Sequence, residues 1–543
     1  MLQFKHWILA ITVGFSFSTG QAQDAQALAV VSKAVQELGG AAKLEAMKSI
    51  VVQSRHRHWD PQQTEVPDVG NKSGGNSRVT VTRDLVKGHA RLDWVRNRTW
   101  PGIRMFNYSE VMADDVGFVL GVDNIAQSKM ARETSPSMHT MSASRRVANL
   151  RELHRTSPKL MLEMVNNAAK IKKETDEVIQ GATYAKVSYR AADAEWIVLF
   201  DNKTGLPARI RTLDADNIWG DVNYDLILSD WRVVEGFKFP FDQLLTLRDK
   251  EVQHFQVDEV MFNRNVPADL FAVPELVKKA NNPTPPSYVA LQWMIRRSHW
   301  GSFLDSDALA FDPAVVASLK WTEVKPGVFH ITGGSHHSMV IEMKDHLIAI
   351  DAPVGNEMSR MTMTEAKKRF PGKPFKYVLM THHHMDHAAG TRVFAAAGAT
   401  VVHGLGNKKF FEDQLTAPNR VRNDELWANP RKVELLEVAD TLKISDGVRD
   451  VVLYMSPNTH SANTFFVTLP KDDFGFVTDL WSPARDRPND RPSHFEFIDE
   501  VRRRNVVMST WAGGHGSGVA PIQPLLDELD KIRAAVPAKV AAN

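Results

Sequence analysis

The sequence predicts a mainly antiparallel β (α+β) domain followed by an α/β domain. Three observations lead to this prediction. The chain has 543 residues, too many for one ordinary domain. A two-residue hydrophobic period dominates from residue 50 to about residue 262, as expected for strands with one buried face. After a proline-rich break at residues 281–286, apolar strand patterns end in histidine or aspartate, and one of them leads directly into a helical pattern.

The composition narrows the class of protein. Hydrophobic residues make up 43% of the chain and charged residues 24%, which excludes a disordered or polytopic membrane protein. The net charge of +2 gives no support for a nucleic-acid partner. The chain contains no cysteine, which excludes disulfides, thiolate zinc sites, cysteine nucleophiles and a lipid-modified N-terminal cysteine.

Residues 1–22 have the pattern of a secretory signal peptide. Lys5 provides a basic start, residues 7–17 are apolar, and Gly20 and Ala22 place small residues at a cleavage site. A membrane anchor is the alternative, but eleven apolar residues fall short of the roughly 20 that span a bilayer. We therefore expect cleavage near Ala22 and a periplasmic or secreted protein without stable membrane insertion.

The predicted N-terminal domain covers residues 23–280. Apolar residues three and four apart predict a helix within residues 25–48, broken at Gly39 and followed by a short second helix at 41–47. Residues 140–180 are predicted to be helical, including one helix at 157–171 with Pro158 in its first turn. Residues 201–205 suit a hairpin loop. Strands are predicted at residues 77–82, 184–189, 196–200, 208–213 and 254–261.

Four stretches of this domain resemble the half-barrel β domains related to lipoprotein carriers of the bacterial envelope. They are residues 37–50, 200–213, 236–247 and 263–274. The resemblance implies one curved antiparallel sheet wrapped over helices, with an apolar concave face. We expect a scaffold or a homodimerisation domain, and binding of an apolar molecule is the alternative. Residues 281–320 are predicted to be a linker, and residues 321–543 the second domain.

Histidine is concentrated in this second domain. Twelve of the 20 histidines lie between His330 and His515. An apolar strand pattern at residues 375–380 leads into the string THHHMDHAAG at 381–390. Because residues i and i+2 of an extended segment face the same side, His382 and His384 can bind one metal ion together. The chain then turns, and Asp386 and His387 can face a second position nearby.

The pattern His-x-His-x-Asp-His after a strand resembles the metallo-β-lactamase fold superfamily. Further landmarks of that superfamily follow or precede it in the expected order, each at the end of a strand pattern: Asp351, His460, Asp479 and His515. The resemblance covers about residues 320–520. It implies an αββα sandwich with its site at one edge of the two sheets.

The same resemblance implies a site for two divalent metal ions. We assign His382, His384 and His460 to one ion, Asp386, His387 and His515 to the other, and Asp479 to both as a bridge. Zinc is expected, because nitrogen and oxygen ligands with open positions suit catalytic zinc. A hydroxide shared by the two ions would attack the substrate. Asp386 would orient it and pass its proton to the leaving group, and Asp351 would be structural.

The leading functional prediction is a hydrolase of an ester, lactone or related acyl bond in a small-molecule substrate. A bridging acid such as Asp479 resembles that of lactonases, glyoxalase-II-like thioesterases and phosphodiesterases, and the lack of cysteine argues against the cysteine-using β-lactamases. The alternatives are phosphodiester or phosphotriester hydrolysis, β-lactamase-like amide hydrolysis, single-iron persulfide oxidation, and an apolar-ligand binding protein with an accessory metal domain.

Five other polar residues lie near the motifs. His383, between two expected ligands, should point away from the metal. His336 and His337 are expected in a solvated hairpin turn, and contact with substrate is the alternative. His403 follows a strand, and two positions remain open for its side chain: in the lining of the pocket, or outside it. Asn463 is a candidate to polarise a substrate carbonyl group.

Overall fold

The computed structural model describes residues 24–67, 69–100, 102–124, 127–191, 194–281, 319–484 and 491–535. The predicted signal peptide lies outside the described residues, as does nearly all of the predicted linker. Among the helices of the described ranges, none is both long enough and apolar enough to cross a bilayer.

One sheet of thirteen strands, all antiparallel, forms the N-terminal domain. Its strands are β1 (Ser49–Asp60), β2 (Lys72–Asp84), β3 (His89–Arg98), β4 (Arg104–Ala113), β5 (Val116–Gly121), β6 (Met138–Thr140), β7 (Ile171–Ile179), β8 (Ala182–Arg190), β9 (Glu195–Asp201), β10 (Pro207–Asp216), β11 (Gly220–Val234), β12 (Phe237–Leu247) and β13 (Lys250–Phe262). Their order in space is β6-β5-β4-β3-β2-β1-β13-β12-β11-β10-β9-β8-β7, so β1 pairs with β2 and β13. The five strands predicted from the two-residue period fall within β2, β8, β9, β10 and β13.

Helices pack on this sheet. They are α1 (Ala25–Glu37), α2 (Ala41–Ala46), α3 (Lys129–Glu133), α4 (Ala143–Arg155), α5 (Leu160–Asn166) and α6 (Glu275–Ala280). Ala27, Val31 and Val35, spaced four apart on α1, are buried in a core shared with α5 and the sheet. The two helices predicted at the start of the domain are therefore confirmed. The hairpin loop predicted at residues 201–205 joins β9 to β10, also as predicted.

The prediction of helix across residues 140–180 is partly wrong. The predicted helix at 157–171 is only α5 followed by a 3-10 turn at Ala168–Lys170, and Pro158 precedes the helix. Residues 171–179 form the strand β7, which lies at the edge of the sheet and pairs only with β8. An edge strand tolerates many charged side chains, and the lysines and glutamates of β7 are half-buried or exposed, so its composition is also typical of a helix.

The C-terminal domain contains two mixed sheets. The first, in spatial order, is β14 (Lys320–Lys325), β15 (Val328–Thr332), β16 (Ser338–Glu342), β17 (Leu347–Ile350), β18 (Phe375–Met380), β19 (Thr400–Gly404) and β20 (Leu435–Val438). The second is β21 (Thr441–Ser445), β22 (Asp450–Met455), β23 (Phe465–Leu469), β24 (Phe474–Val477), β25 (Thr510–Gly513) and β26 (Val519–Pro521). Strands β17 to β20 run parallel, as do β24 and β25.

Its helices are α7 (Asn356–Arg369), α8 (Met385–Ala388), α9 (Thr391–Ala396), α10 (Lys408–Thr416), α11 (Glu425–Ala428), α12 (Pro492–Arg504) and α13 (Gln523–Ala535). One apolar cluster contains side chains from both sheets, such as Ile350 and Leu379 with Val467 and Phe476. A second apolar cluster packs helices against the first sheet, and a third packs helices against the second sheet. An antiparallel β domain followed by an α/β domain is confirmed, while the half-barrel and sandwich descriptions stay predictions.

The two domains are in direct contact. In the turn between β10 and β11, Ile218 is fully buried in an apolar cluster of the C-terminal domain, and the Trp219 ring contacts the Phe410 ring. The backbone N–H of Asp221 donates to the Pro418 carbonyl at 2.7 Å. The side-chain carboxylate of Asp221 accepts a hydrogen bond from the Arg420 Nε at 2.8 Å. Apolar burial and charged hydrogen bonds thus hold the domains together at this turn.

Candidate metal centre

The histidine string lies where strand β18 turns into helix α8. His382 and His384 belong to the extended segment after β18, and Asp386 and His387 lie in the first turn of α8. The ends of β17 and β18 lie at the same edge of the first sheet because these strands are parallel. In the second sheet, Asp479 and His515 follow the parallel strands β24 and β25 in the same way. Loops from both sheets therefore meet around the string.

Asp479 joins the other predicted ligands. Its Oδ2 lies 2.9 Å from His387 Nε2, 3.4 Å from His382 Nε2 and 3.6 Å from His460 Nε2. Its Oδ1 lies 2.9 Å from His515 Nε2. Asp479 has a left-handed backbone, with φ of 56°, a strained conformation that is common at functional sites. One carboxylate thus contacts four imidazoles.

His382, His384 and His460 form a first ligand group, whose donor atoms lie within 4.8 Å of one another. Three of their nitrogens are buried without a hydrogen-bond partner among the described residues: His382 Nε2, His384 Nδ1 and His460 Nε2. Buried polar atoms are rarely left unpaired in proteins. A metal ion would satisfy all three at once, so these residues fit a metal.

Asp386, His387 and His515 form a second group, and the structure adds His336 to it. The Nε2 of His336 donates to Asp386 Oδ2 at 2.9 Å, since a carboxylate oxygen can only accept. The His336 and His515 rings meet edge to face with centroids 4.5 Å apart. The centre therefore has eight His and Asp side chains, seven of which the sequence predicted.

The protonation states of His382, His384 and Asp479 suit a metal site. Burial lowers the pKa of His382 far below its ordinary value and that of His384 to about 3, so both rings are neutral and able to bind a metal. Burial raises the pKa of Asp479, but the imidazoles of His515 and His460 outweigh burial and hold that pKa well below its usual range. The carboxylate of Asp479 is therefore charged.

The comparison with known families agrees with this geometry. The family model of the metallo-beta-lactamase superfamily matches residues 331–540. That range contains all eight residues of the centre. The C-terminal domain belongs to the metallo-β-lactamase superfamily. This membership indicates a hydrolase that uses divalent metal ions.

Solved structures similar to the chain include three proteins of this kind. The metallo-beta-lactamase FIM-1 from Pseudomonas aeruginosa, in its mono-zinc form, is 17% identical, with 40% of this chain and 97% of that chain covered and a TM-score of 0.32. The metallo-beta-lactamase from Pontibacter korlensis is 18% identical, with 40% and 100% covered and a TM-score of 0.30. An archaeal superfamily protein from Sulfolobus tokodaii is 16% identical, with 38% and 87% covered and a TM-score of 0.29. No curated protein matches the chain.

Within the metallo-β-lactamase domain, Asp351 supports the centre from outside. Its Oδ2 accepts from His387 Nδ1 at 3.0 Å, and its Oδ1 accepts from the backbone N–H of Thr381 at 2.9 Å. Because Nδ1 of His387 carries the proton, Nε2 is the atom left to face Asp479. Asp351 thus orients a predicted ligand, in line with the structural role expected for it.

Two other histidines and Asn463 occupy defined places. His383 is fully buried, and its ring lies edge to face against Phe410. His403 is also fully buried and stacks on Phe411 with ring centroids 5.7 Å apart. The side-chain amide of Asn463 donates to Asn407 Oδ1 at 3.2 Å. The contacts of these residues are therefore with the surrounding loops and helices.

The expectation that His336 and His337 lie in a solvated turn is wrong. Their exposed fractions are only 8% and 6%. His336 packs between Asp386 and His515, and the backbone N–H of His337 donates to the Gly514 carbonyl at 2.8 Å. Both histidines are buried because they lie against the loop after β25, while Gly333 and Ser335 of the same turn are exposed. The two adjacent histidines are the sequence signal from which this turn could have been assigned to the centre.

Sequence reasoning missed the contribution of the N-terminal domain. Gln63 Nε2 donates to Asp386 Oδ1 at 2.7 Å. The carbonyl oxygen of Thr64 accepts from His384 Nε2 at 3.0 Å. The Trp100 ring lies 6.3 Å from the His460 ring, centroid to centroid. No sequence signal connects these residues to ligands more than 300 positions away.

Proposed function

We propose that the chain is an exported dinuclear metallohydrolase that cleaves an ester, lactone or related acyl bond of a small molecule. The observation that carries the proposal is the set of contacts made by Asp479, whose two oxygens reach four imidazoles of two ligand groups. All the donor atoms are nitrogen or oxygen, the set that suits Zn²⁺ in catalytic sites.

The residues of the centre provide binding and proton transfer. Bound divalent ions would polarise the scissile carbonyl and bring the pKa of a water molecule into the neutral range. Asp386 is held from two sides, by Gln63 at Oδ1 and by His336 at Oδ2, so its carboxylate has a fixed orientation. From that position Asp386 takes the proton of the attacking water and delivers it to the leaving group.

The surroundings of the centre favour an acyl bond over a phosphoester. In the described ranges, no guanidinium or ammonium group is paired with any of the seven predicted ligands. Phosphoryl-transfer sites commonly add such cations to their metal ions. Trp100 offers an aromatic ring beside His460, which suits an apolar acyl group, and the Lys72 ammonium group lies 4.9 Å from the centre of that ring without contacting a predicted ligand.

Metal analysis and a substrate screen test this function. We expect about two divalent ions per chain in protein purified without a histidine tag, and hydrolysis of esters or lactones. Asp386→Asn is expected to reduce kcat by about 10²- to 10⁴-fold, because the proton acceptor is lost. Asp345→Asn is the control, since the Asp345 side chain is 78% exposed and pairs with His346. One iron per chain, or faster turnover of phosphodiesters or β-lactams, would contradict the proposal.

Export is tested separately. We expect the mass of the protein recovered from the periplasm or medium to correspond to a chain that starts near Gln23. A full-length mass in the membrane fraction would show an uncleaved anchor instead.

A further inference from the structure

A segment of the N-terminal domain lies on the metal centre. Residues 61–67, which we call the strap, follow β1 and reach the metallo-β-lactamase domain. Gln63 contacts Asp386 and Thr64 contacts His384 through the hydrogen bonds described above. The carbonyl oxygen of Glu65 accepts from the backbone N–H of Ala462, close to His460 in the chain, at 2.9 Å. Each contact reaches a ligand or the loop that carries one.

We propose that the strap completes the metal centre, with Gln63 and the Thr64 carbonyl as positioning groups for Asp386 and His384. This inference rests on the proposed metallohydrolase function, and it makes that function a property of both domains together. The N-terminal domain would then contribute residues to the active site and would be more than a scaffold.

The contact with His384 determines which ring nitrogen is free. A carbonyl oxygen can only accept a hydrogen bond, so the Nε2 of His384 must carry the proton. In a neutral imidazole the other nitrogen, Nδ1, then has its lone pair available. That Nδ1 is the buried atom without a partner in the first ligand group. The Thr64 carbonyl thus fixes the tautomer that binding of a metal requires.

The contact with Asp386 fixes the orientation of a carboxylate. Gln63 is 8% exposed, so its amide is shielded from water that would compete for Asp386. With the His336 Nε2–H at Oδ2 and the Gln63 amide at Oδ1, rotation of the carboxylate about its last bond breaks a hydrogen bond. Loss of the amide would leave the orientation to His336 alone.

The strap is itself held in place. Gln62 is buried, and its amide lies 3.5 Å from Asp216 Oδ1 at the end of β10. Asp216 precedes the turn that carries Ile218 into the core of the metallo-β-lactamase domain. The hydroxyl of Thr64 donates within the strap to the Val66 carbonyl at 2.8 Å. The strap is therefore fixed to the same surface that docks the two domains.

The test compares Gln63→Ala and Gln63→Glu with the control Gln523→Ala in the full-length protein. Gln523 is a glutamine whose amide also donates to an aspartate, Asp527 Oδ1 at 2.8 Å, but it is exposed at the start of α13 and contacts neither the strap nor a ligand. The readouts are zinc affinity by competition with a chelator, the visible absorption spectrum of the Co²⁺-substituted protein, and kcat and KM for any ester or lactone turned over.

For both Gln63 variants we expect about 10- to 100-fold weaker binding of the more weakly held ion, the effect typical of lost supporting contacts. We also expect an altered Co²⁺ spectrum and a lower kcat at unchanged KM. Gln523→Ala should stay within twofold of the wild type. Because glutamate preserves the size of the side chain but cannot donate when charged, the second variant separates the lost hydrogen bond from a lost fold.

Two results would overturn the inference. One is wild-type zinc affinity and Co²⁺ spectrum in both Gln63 variants. The other is a rise in kcat/KM in Gln63→Ala, which would make the strap a cover that obstructs the site. The metal readouts need no substrate. A wild type that binds two ions but hydrolyses no ester or lactone would therefore refute the proposed function and still test the strap.

Discussion

Replacing Asp479 with asparagine tests whether one carboxylate links the two ligand groups. Asparagine has the same shape as aspartate but offers only one oxygen, and its NH₂ group cannot bind a metal. The oxygen can replace Oδ2, which faces His387, His382 and His460, or Oδ1, which faces His515. In the first orientation both groups share one neutral oxygen in place of a charged carboxylate, and in the second the group of His382, His384 and His460 loses this oxygen altogether.

The expected magnitude follows from this geometry. Removing a residue that only supports a ligand costs 10- to 100-fold in metal affinity. Asp479 is itself within ligand distance of both groups, so we expect at least the upper end of that range for one ion. A loss of about 100-fold corresponds to about 3 kcal/mol. The other ion keeps its three side chains and should be affected less.

The assay is equilibrium dialysis against buffers that fix free zinc, followed by plasma emission analysis. At a zinc concentration that gives the wild type two ions per chain, Asp479→Asn should hold close to one. Asp473→Asn is the control, because Asp473 lies at the other end of β24 and also has a left-handed backbone, with φ of 49°. Two ions in Asp479→Asn, with affinities within twofold of the wild type, would refute the bridging role.

Three further predictions concern the interface, the response to pH and the substrate. Gly220→Ala should lower the free energy of unfolding by about 2 kcal/mol more than the control Gly181→Ala in urea titrations, because a Cβ at Gly220 would lie 2.1 Å from the Pro418 carbonyl whereas nothing is within 4 Å at Gly181. Burial lowers the pKa of His58 to about 3, so as pH falls from about 6.5 the unfolded chain gains a proton that the folded chain does not, and stability is lost. His58→Leu should therefore reduce the slope of unfolding free energy against pH, between pH 6 and 4, by up to about 1.4 kcal/mol per pH unit. Trp100→Ala should raise KM about tenfold for esters of aromatic acids in steady-state assays, and leave the metal content unchanged, because it removes the ring beside His460 but no ligand.

The sequence predicted those parts of the centre that depend on local geometry. An extended segment places His382 and His384 on one side, and the turn into α8 brings Asp386 and His387 to the same edge. Asp479 and His515 were expected as ligands because the resemblance to the superfamily implies them, and each follows a strand pattern. The local inferences needed only a few neighbouring residues, because a strand end and the first turn of a helix are set by nearby sequence.

Other features depended on which strands and loops become neighbours. The strand β7 was predicted as helix because its charged residues, many of them only half-buried at the sheet edge, do not alternate cleanly with apolar residues. The burial of His336 follows from the packing of two loops that are about 180 residues apart. Neither property is encoded by the local pattern, since composition does not specify an edge or a partner.

The sequence by itself thus determined the order of the two domains and five of the thirteen strands of the antiparallel sheet, and its resemblance to the superfamily indicated the seven His and Asp residues expected to bind metal. Only the tertiary structure brought Gln63 to Asp386 and the Thr64 carbonyl to His384. Ligand motifs are short-range patterns tied to strand ends, whereas contacts between domains arise from the burial of Ile218 and its neighbours across a long stretch of chain. Hydrogen bonds across such an interface exist only once that burial has fixed the two domains in register.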